Sequence, residues 1–252
     1  MINTLKLLLT TCIFVIPSCL CQAQVTSISQ ANAAVQLDQK NLATLANLQP
    51  TSSFQGFENP NLRLKGTPYM GKEWQEGRIR IAEGYSDTIG IALNIVDQIL
   101  YVQLDNGLVS EMPNTLLRGL IIHNEDGTQT PLEVHDLYAK YEQGPRGYKY
   151  YQPLYKGDHY QFWELHTKYM RLEKYVENLG MVRRPNEFRS RYEYWLLDRY
   201  GNVRRMKKNM NSLLRIFPER ANYIKHIVKK EKINIKEVEG LIRLVEFLEK
   251  VE

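Results

Sequence analysis

The sequence predicts an α+β fold, in which an antiparallel β-meander body precedes a C-terminal helical segment. Two observations lead to this expectation. Residues 62–206 consist of short apolar or alternating runs separated by turn residues, with no long helical pattern between them. Residues 207–252 instead carry apolar side chains at helical spacing. The strand pattern alone leaves a sandwich, a barrel and a bent sheet open for the β-rich body.

Residues 1–23 are typical of a secretory signal peptide. Lys6 supplies the positive charge, and residues 7–16 form the apolar core. The small-x-small pattern that ends at Ala23 predicts cleavage between Ala23 and Gln24. We therefore expect an exported protein that resides in the periplasm, at the outer membrane or in the medium.

The positions of the cysteines agree with that prediction. Cys12, Cys19 and Cys21 all precede the cleavage site, so the mature chain would have no disulfide, thiolate or cysteine-ligated metal. A lipoprotein signal is the alternative, because residues 16–19 loosely match a lipobox and Cys19 would then carry the lipid. No later apolar run approaches the roughly 20 residues of a membrane-spanning helix, so none is expected after signal removal.

Composition divides the remaining chain into three parts. Residues 24–60 are rich in Gln, Asn, Ala and Ser and have few large apolar side chains, which predicts a flexible arm or tether. Residues 61–206 form the predicted β-rich domain. Residues 207–252 form helices that we expect to pack on the β-rich domain, because an apolar helix face must be buried against a neighbour.

Strand and turn signals alternate along the β-rich domain. Strands are predicted at residues 78–81, 89–96, 99–104, 116–122, 148–155, 159–166 and 192–197. Turns are predicted at residues 105–107, 125–127, 156–158 and 200–202, where Gly adjoins Asn or Asp. Residues 170–179 fit either a helix or the end of a long strand. Connections this short predict antiparallel pairing.

Helical periodicity is clearest at the C-terminus. Pro218 suits the first turn of a helix that continues through Ile224 and Ile227. For the final helix, Asn234 is the predicted N-cap and Glu237 its capping-box partner. The predicted apolar face of that helix consists of Leu241, Leu244, Val245 and Leu248.

The net charge of +5 is distributed unevenly. Residues 168–232 contain 18 Lys or Arg against seven Asp or Glu, a net charge of +11, which leaves −6 for the rest of the chain. An exported protein rarely meets nucleic acid, so an envelope protein, a glycan or an anionic lipid is the expected partner of a basic region. A solvated basic face without a partner is the simpler alternative, and the pattern alone favours it.

Several short segments between residue 57 and the C-terminus form a recognisable combination. They are Glu58-Asn59-Pro60, Lys65-Gly66-Thr67-Pro68-Tyr69 followed by Trp74 and Gly77, and Lys207-Lys208-Asn209 followed by Ser212-Leu213-Leu214 and Phe217-Pro218. In this overall pattern the chain resembles an uncharacterised family of exported proteins from Bacteroidota. The resemblance implies an envelope or secreted protein with a β-rich body and a helical tail, and it carries over no activity and no functional residue.

The sequence offers few candidates for chemistry. Motifs for nucleotide, zinc-protease and serine-hydrolase sites are absent, and no cofactor is expected. His159 and His166 are seven residues apart in one predicted strand and so point to opposite faces, which argues against a shared metal. Asp158 and Glu164 are the strongest candidates for a catalytic acid pair, provided that they face each other across a cleft.

Tyrosine is concentrated in one region, with 12 of the 16 tyrosines between residues 138 and 200. Alternation places an aromatic row on one face, made of Tyr148, Tyr150, Tyr160, Phe162, Tyr192 and Tyr194. With Arg146 and Lys149 nearby, this row is a candidate surface for a sugar ring or an anionic group. Tyrosine also suits half-buried sheet positions, and that structural role is the alternative favoured by residue type.

These observations favour a non-enzymatic exported envelope protein that binds an anionic or glycan-containing component or a protein partner. A periplasmic hydrolase acting on glycans or lipid head groups is the alternative, and a barrel around an apolar lipid cavity is a third. Convergent acids in a pocket would indicate the enzyme, whereas an exposed aromatic face would indicate binding.

Overall fold

The structure is a computed structural model that describes residues 64–81, 84–104, 106–142, 147–172, 174–176, 181–184 and 186–251. The predicted signal peptide, with Cys19, Ala23 and Gln24, lies outside the described residues, as does the predicted arm at 24–60. Arg146 of the candidate binding surface also lies outside them. The β-rich domain and the C-terminal helices are therefore the parts that the structure addresses.

The described residues form 13 strands and four α-helices. The strands are β1 (Leu64–Lys65), β2 (Gln75–Arg80), β3 (Ile89–Asn94), β4 (Ile99–Gln103), β5 (Val109–Met112), β6 (Gly119–His123), β7 (Gln129–His135), β8 (Lys149–Lys156), β9 (Tyr160–Arg171), β10 (Lys174–Val176), β11 (Met181–Arg184), β12 (Asn186–Asp198) and β13 (Val203–Met206). The helices are α1 (Leu137–Glu142), α2 (Met210–Ile216), α3 (Ala221–Lys230) and α4 (Val238–Glu249), with a 3-10 turn at Pro218–Arg220. Within these described residues, no helix combines the length and the apolar character needed to span a membrane.

Eleven of the strands form one sheet. Its order is β1-β12-β9-β8-β7-β6-β2-β3-β4-β5, and β13 pairs with the C-terminal half of β12. All of these pairings are antiparallel except the short parallel pairing of β1 with β12. The predicted α+β class, an antiparallel β-rich body followed by C-terminal helices, is confirmed. Two meander runs, β2-β3-β4-β5 and β6-β7-β8-β9, lie side by side in this sheet, because β6 pairs with β2. Of the two alternatives for residues 170–179, the strand is observed where the structure describes them, since β9 continues to Arg171 and β10 follows.

The path of the first described residues shows that the sheet is strongly bent. Lys65 pairs with β12, whereas Tyr69 forms a bridge with Asn94 at the end of β3. Six strand-to-strand steps separate β12 from β3, a distance of about 29 Å in a flat sheet. The four Cα steps from Lys65 to Tyr69 reach at most about 14 Å. The sheet must therefore curve until β3 approaches β12, which gives it an inner and an outer face.

Two apolar clusters cover different parts of the inner face. The first packs in the bend formed by β2 to β8, and it includes Ile79, Ile91, Leu93, Leu100, Met112, Leu120 and Tyr150. The second joins β9, β12 and β13 to the C-terminal helices through Phe162, Tyr194, Leu196, Met206, Leu213, Ile224 and Leu241. Between the clusters, the inward-facing residues of β9 are polar: Glu164, His166 and Lys168. This polar gap holds the candidate site.

The final helix packs as its periodicity predicts but begins later. Leu241, Leu244, Val245 and Leu248 are all buried, which confirms the predicted apolar face. The predicted capping box is wrong, because α4 begins at Val238 and its N-cap, Glu237, makes no side-chain cap hydrogen bond. Asn234 Oδ1 instead accepts a hydrogen bond from Lys236 N at 3.2 Å and closes a separate turn. Asparagine stabilises such turns as readily as it caps helices.

Glu249, in the last turn of α4, ties the final helix to the start of β9. Its carboxylate accepts hydrogen bonds from the backbone N–H groups of His159 at 2.8 Å and Tyr160 at 3.0 Å. We expect Glu249→Ala to lower the free energy of unfolding by about 2 kcal/mol, because two partly buried donors lose a charged acceptor. Urea denaturation measures the change, with Glu239→Ala on the exposed side of the same helix as the control. Equal losses in the two variants would contradict the assigned role.

Candidate functional site

A polar cleft opens on the inner face between the two apolar clusters, with a volume of about 300 Å³. Strand register places Gln152, Glu164 and Tyr194 side by side, and it places His166 beside Tyr192 in the next inward-facing row. The lining residues are Met70, Gly71, Gln75, Ile122, Asn124, Thr130, Gln152, Glu164, His166 and Tyr192. They come from consecutive strands of the sheet, from β12 to β2, and from the segment that precedes β2, so the bend of the sheet brings them around one cleft. We refer to it as the inner cleft.

Glu164 supplies the carboxyl group of the inner cleft. It accepts a hydrogen bond from the Tyr194 hydroxyl. Burial raises the pKa of Glu164 above its ordinary value, while this hydrogen bond and the charge of Lys208 act in the opposite direction. Burial and the adjacent carboxyl group also raise the pKa of Tyr194, so the tyrosine keeps its proton and remains the donor. A carboxylate has about four acceptor positions, so Glu164 retains capacity for a ligand's donors.

His166 and Tyr192 form a stacked pair at the wall of the inner cleft. Their ring centroids are 4.4 Å apart and their planes differ by 21°. Burial, reinforced by the charge of Lys168, lowers the pKa of His166 to about 4. The ring is therefore neutral at pH 7, with one nitrogen as donor and one as acceptor. Its Nε2 is buried and has no hydrogen-bond partner among the described residues, so it can exchange a hydrogen bond with a ligand.

Lys168, two residues beyond His166 on β9, holds the segment that precedes β2. Its ammonium group donates hydrogen bonds to the backbone carbonyls of Thr67, at 3.0 Å, and of Tyr69. Burial lowers the pKa of this lysine. Because the ammonium group is occupied by backbone carbonyls, it serves to position the segment that contributes Met70 and Gly71 to the inner cleft.

Amide and hydroxyl groups complete the inner cleft. Asn124 Nδ2 donates to the hydroxyl groups of Thr128 and Thr130, at 2.9 Å in each case. Gln75 and Gln152 add further amide groups. The described lining residues thus include several donors and acceptors but no Lys or Arg, a composition that suits a neutral, hydroxylated ligand.

The structure separates the two acids that the sequence pairs as catalytic candidates. Glu164 lies in the inner cleft, whereas Asp158 is exposed in the turn between β8 and β9. The strand carries Glu164 about 13 Å beyond Tyr160, and Asp158 lies on the far side of Tyr160. The carboxyl pairs of glycosidases are no more than about 9.5 Å apart. An extended strand moves each residue away from its turn, so this pair does not meet across a cleft.

The predicted aromatic row shares one face, but most of its members are covered. Tyr150 belongs to the cluster in the bend, with Tyr148 packed against it, while Tyr160, Phe162 and Tyr194 belong to the cluster with the C-terminal helices. Only Tyr192 of this row keeps a large exposed fraction, 51%. Alternation identifies the face, but the packing of the helices decides which ring a ligand can reach.

Lys149 lies away from the inner cleft, on the outer face of the sheet. Its ammonium group is 4.0 Å from the centroid of the Tyr138 ring in α1. Burial lowers its pKa, and the charge of Glu193 opposes this shift. Lys149 therefore packs against α1 and does not contribute to a surface shared with Tyr192.

Sequence reasoning missed His166, Gln152 and Asn124 as cleft residues. Isolated amides and histidines belong to no motif, and only the strand register brings them together. His159 and His166 lie apart, as the sequence predicts. His159 immediately precedes β9, and its Nδ1 is 3.0 Å from Nη1 of Arg199. The described residues contain no group of three or more His, Cys, Asp or Glu side chains that is arranged for a metal ion.

Comparisons with known proteins identify no relative of this chain. No family model, curated protein or solved structure matches the chain. Inferences about function therefore depend on the chemistry of the inner cleft and of the surrounding surface.

Proposed function

We propose that this chain is an exported binding module whose inner cleft holds a neutral sugar unit of an envelope glycan. The observation that carries the proposal is the half-exposed Tyr192 ring, stacked on a neutral His166 beside the carboxyl group of Glu164. An aromatic ring packs against the apolar C–H face of a sugar, while carboxyl and amide groups bind its hydroxyls. Both kinds of group line the inner cleft.

The size and charge of the inner cleft support a small, uncharged unit. Its volume of about 300 Å³ lies at the lower end of the range for small-molecule pockets. The inward-facing cation of β9, Lys168, is engaged by the carbonyls of Thr67 and Tyr69. Lys208, whose charge acts on Glu164, lies over the Tyr194 ring and outside the lining of the inner cleft. A single sugar ring of a longer chain suits this volume, and the rest of the chain would leave past the exposed edge of Tyr192.

The predicted export supports a glycan as the ligand class. Residues 1–23 have the pattern of a secretory signal, and the chain resembles exported proteins from Bacteroidota. Glycans are abundant polymers outside the cytoplasm. The basic region at residues 168–232 agrees with a location near anionic envelope components.

A hydrolase is the second candidate, and the raised pKa of Glu164 favours it. A carboxyl group that keeps its proton to higher pH can act as a general acid toward a glycosidic oxygen. The separation of Asp158 from Glu164 removes the acid pair that the sequence suggested. Binding without turnover therefore agrees better with the inner cleft.

We expect Tyr192→Ala to weaken sugar binding about tenfold, because loss of a stacked ring removes about 1.4 kcal/mol of binding free energy. Calorimetric titration of the secreted chain with N-acetylglucosamine, its β-1,4-linked disaccharide, glucose, galactose and mannose measures the affinities. Tyr192→Phe keeps the ring and should bind as the parent does.

The control for surface aromatics in general is Tyr169→Ala, which removes an exposed ring from the same sheet outside the inner cleft. No binding of any of the five sugars by the parent chain, or an equal loss in the Tyr192 and Tyr169 variants, would reject the proposal. If the parent chain releases monosaccharide from the disaccharide and the Glu164→Gln variant does not, the result would instead support the hydrolase.

A further inference from the structure

A second, basic cleft of about 500 Å³ lies at the edge of the sheet, away from the inner cleft. Its floor is the edge strand β13, with Tyr141 of α1 on one side and Arg215 of α2 on the other. Tyr141 is 45% exposed, and its ring packs edge-on against Trp195 on the outer face. The basic cleft is therefore a concave surface formed where two helices flank an unpaired sheet edge.

Four cationic side chains line the basic cleft: Arg204, Arg205, Lys207 and Arg215. Its described lining residues include no Asp or Glu. Arg205 forms an ion pair with Glu193 at 2.9 Å, while Arg204, Lys207 and Arg215 form none among the described residues. Like charges gathered in one concavity repel each other and create a positive potential that attracts an anion.

The two arginines of β13 are held in fixed positions. Arg204 donates a hydrogen bond from Nη1 to the backbone carbonyl of Ile216, at the end of α2. Arg205 is held by Glu193, which also pairs with Arg191 at 3.1 Å. A guanidinium group fixed by one edge keeps further N–H groups for a ligand. It also loses little side-chain entropy when the ligand binds.

The connection that carries Lys207 is ordered by its own hydrogen bonds. Ser212 Oγ accepts from the backbone N–H of Lys207 at 3.0 Å. Asn209 Oδ1 accepts from the backbone N–H of Ser212 at 2.8 Å and caps α2. These bonds fix the backbone around Lys207, while its exposed ammonium group stays adjustable. Arg204 and Arg205 are consecutive in β13 and extend to opposite sides of the sheet edge, Arg204 toward α2 and Arg205 toward the face that carries Trp195. A fixed guanidinium fork together with an adjustable point charge suits the tetrahedral oxygens of a phosphate.

We propose that the basic cleft binds a phosphate group carried on a sugar. Phosphate accepts hydrogen bonds on several oxygens at once, so Arg and Lys donors that line one cleft can bind it together. The volume exceeds that of a phosphate ion alone, and the exposed ring of Tyr141 offers a packing surface for the attached sugar. The same phosphosugar chemistry occurs free in solution and as the head group of a glycolipid. This site is independent of the neutral-sugar site of the inner cleft.

Glucose 6-phosphate, glucose and inorganic phosphate are titrated into the secreted chain by calorimetry to test this assignment. Flotation with vesicles of phosphatidylcholine, alone or mixed with a phosphorylated glycolipid, distinguishes the lipid-borne source. The test variant is the double substitution Lys207→Gln/Arg215→Gln, and the control variant is Lys225→Gln/Lys229→Gln, which removes two exposed charges of the same sign from α3. Tyr192→Ala serves as the control for the inner cleft.

We expect the parent chain to bind glucose 6-phosphate more tightly than inorganic phosphate. The cleft double variant should weaken that binding at least tenfold, with little change in the α3 double variant and in Tyr192→Ala. If the parent chain floats with the glycolipid vesicles and the cleft double variant does not, the phosphosugar is lipid-borne. If the parent chain does not float with them, the ligand is the free phosphosugar. The assignment is overturned if no phosphorylated probe binds, or if the two double variants weaken binding equally. Equal weakening by the two double variants would show that binding depends on general surface charge and not on the basic cleft.

Discussion

Trp195→Ala should lower the free energy of unfolding by about 3–5 kcal/mol, the largest single-residue loss that we expect in this fold. Trp195 lies at the centre of β12 and has no exposed surface. Its side chain belongs to the outer-face cluster with Tyr151, Trp163 and Leu165. Removing an indole from this position leaves a cavity that the paired strands β9 and β13 cannot collapse to fill, because their hydrogen bonds fix their spacing.

The same substitution should loosen α1. The rings of Tyr138 and Tyr141 pack edge-on against Trp195, with centroid distances of 5.9 and 5.4 Å. Helix α1 has only six residues, too few to be stable without tertiary contacts. We therefore expect faster amide hydrogen exchange in α1 as well as a lower unfolding midpoint in urea.

Two further variants distinguish the effect of lost packing from a general effect of losing an aromatic ring. Trp195→Phe should lower the free energy of unfolding by less than about 1.5 kcal/mol, because it keeps most of the volume. It also removes an indole N–H that is buried without a partner among the described residues. Tyr200→Ala removes a ring that is 74% exposed and should have almost no effect. A loss under about 1 kcal/mol for Trp195→Ala would show that the outer-face cluster does not stabilise the fold.

The local patterns of the sequence predict the strands of this protein better than they predict its shape. Alternation along residues 159–166 and 192–197 assigns each side chain to the correct face, because the period of a strand depends only on the backbone. The bend depends on the bridge between Tyr69 and Asn94 and on the hydrogen bonds from Lys168. Contacts between residues this far apart in the chain leave no periodic signal.

The candidate sites were predictable to different extents for the same reason. Glu164 and Tyr192 stand out in the sequence as an acid and an aromatic in strands. Their partner His166 does not, because an isolated histidine is usually a surface residue. The basic cleft appears in the sequence only as an excess of charge, since the grouping of Arg204 with Arg215 depends on how α2 packs beside β13.

The short helix α1 and the start of α4 show the limit of local helix signals. Helix α1 buries only two side chains, Leu137 and Ala139. Two apolar positions are too few to reveal helical periodicity in the sequence. The spacing of Asn234 and Glu237 matches a capping box, yet Glu237 itself becomes the N-cap. Asn234 belongs instead to the turn that precedes α4, and this turn approaches Gly240 closely.

Gly240→Val should lower the free energy of unfolding by about 3 kcal/mol, the second large effect that we expect. A Cβ atom at position 240 would lie 2.0 Å from the carbonyl oxygen of Asn234 and 2.6 Å from its carbonyl carbon. Both contacts are to backbone, so no side-chain rotation relieves them. The turn that contains Asn234 or the whole of α4 must shift, which separates Leu241 from the apolar cluster that joins the sheet to the C-terminal helices.

Gly240→Ala provides the more demanding test, because two effects of opposite sign compete. Alanine stabilises a helix relative to glycine, by about 1 kcal/mol in the interior and by less in the first turn of α4, where position 240 lies. The same backbone contact nevertheless applies to its Cβ, so we expect a net loss of about 2 kcal/mol. Arg243→Ala, on the exposed side of α4, controls for substitutions in this helix. If Gly240→Ala proved more stable than the parent in urea denaturation, helix propensity would outweigh the contact. The approach of α4 to Asn234 would then not be what holds the final helix against the sheet.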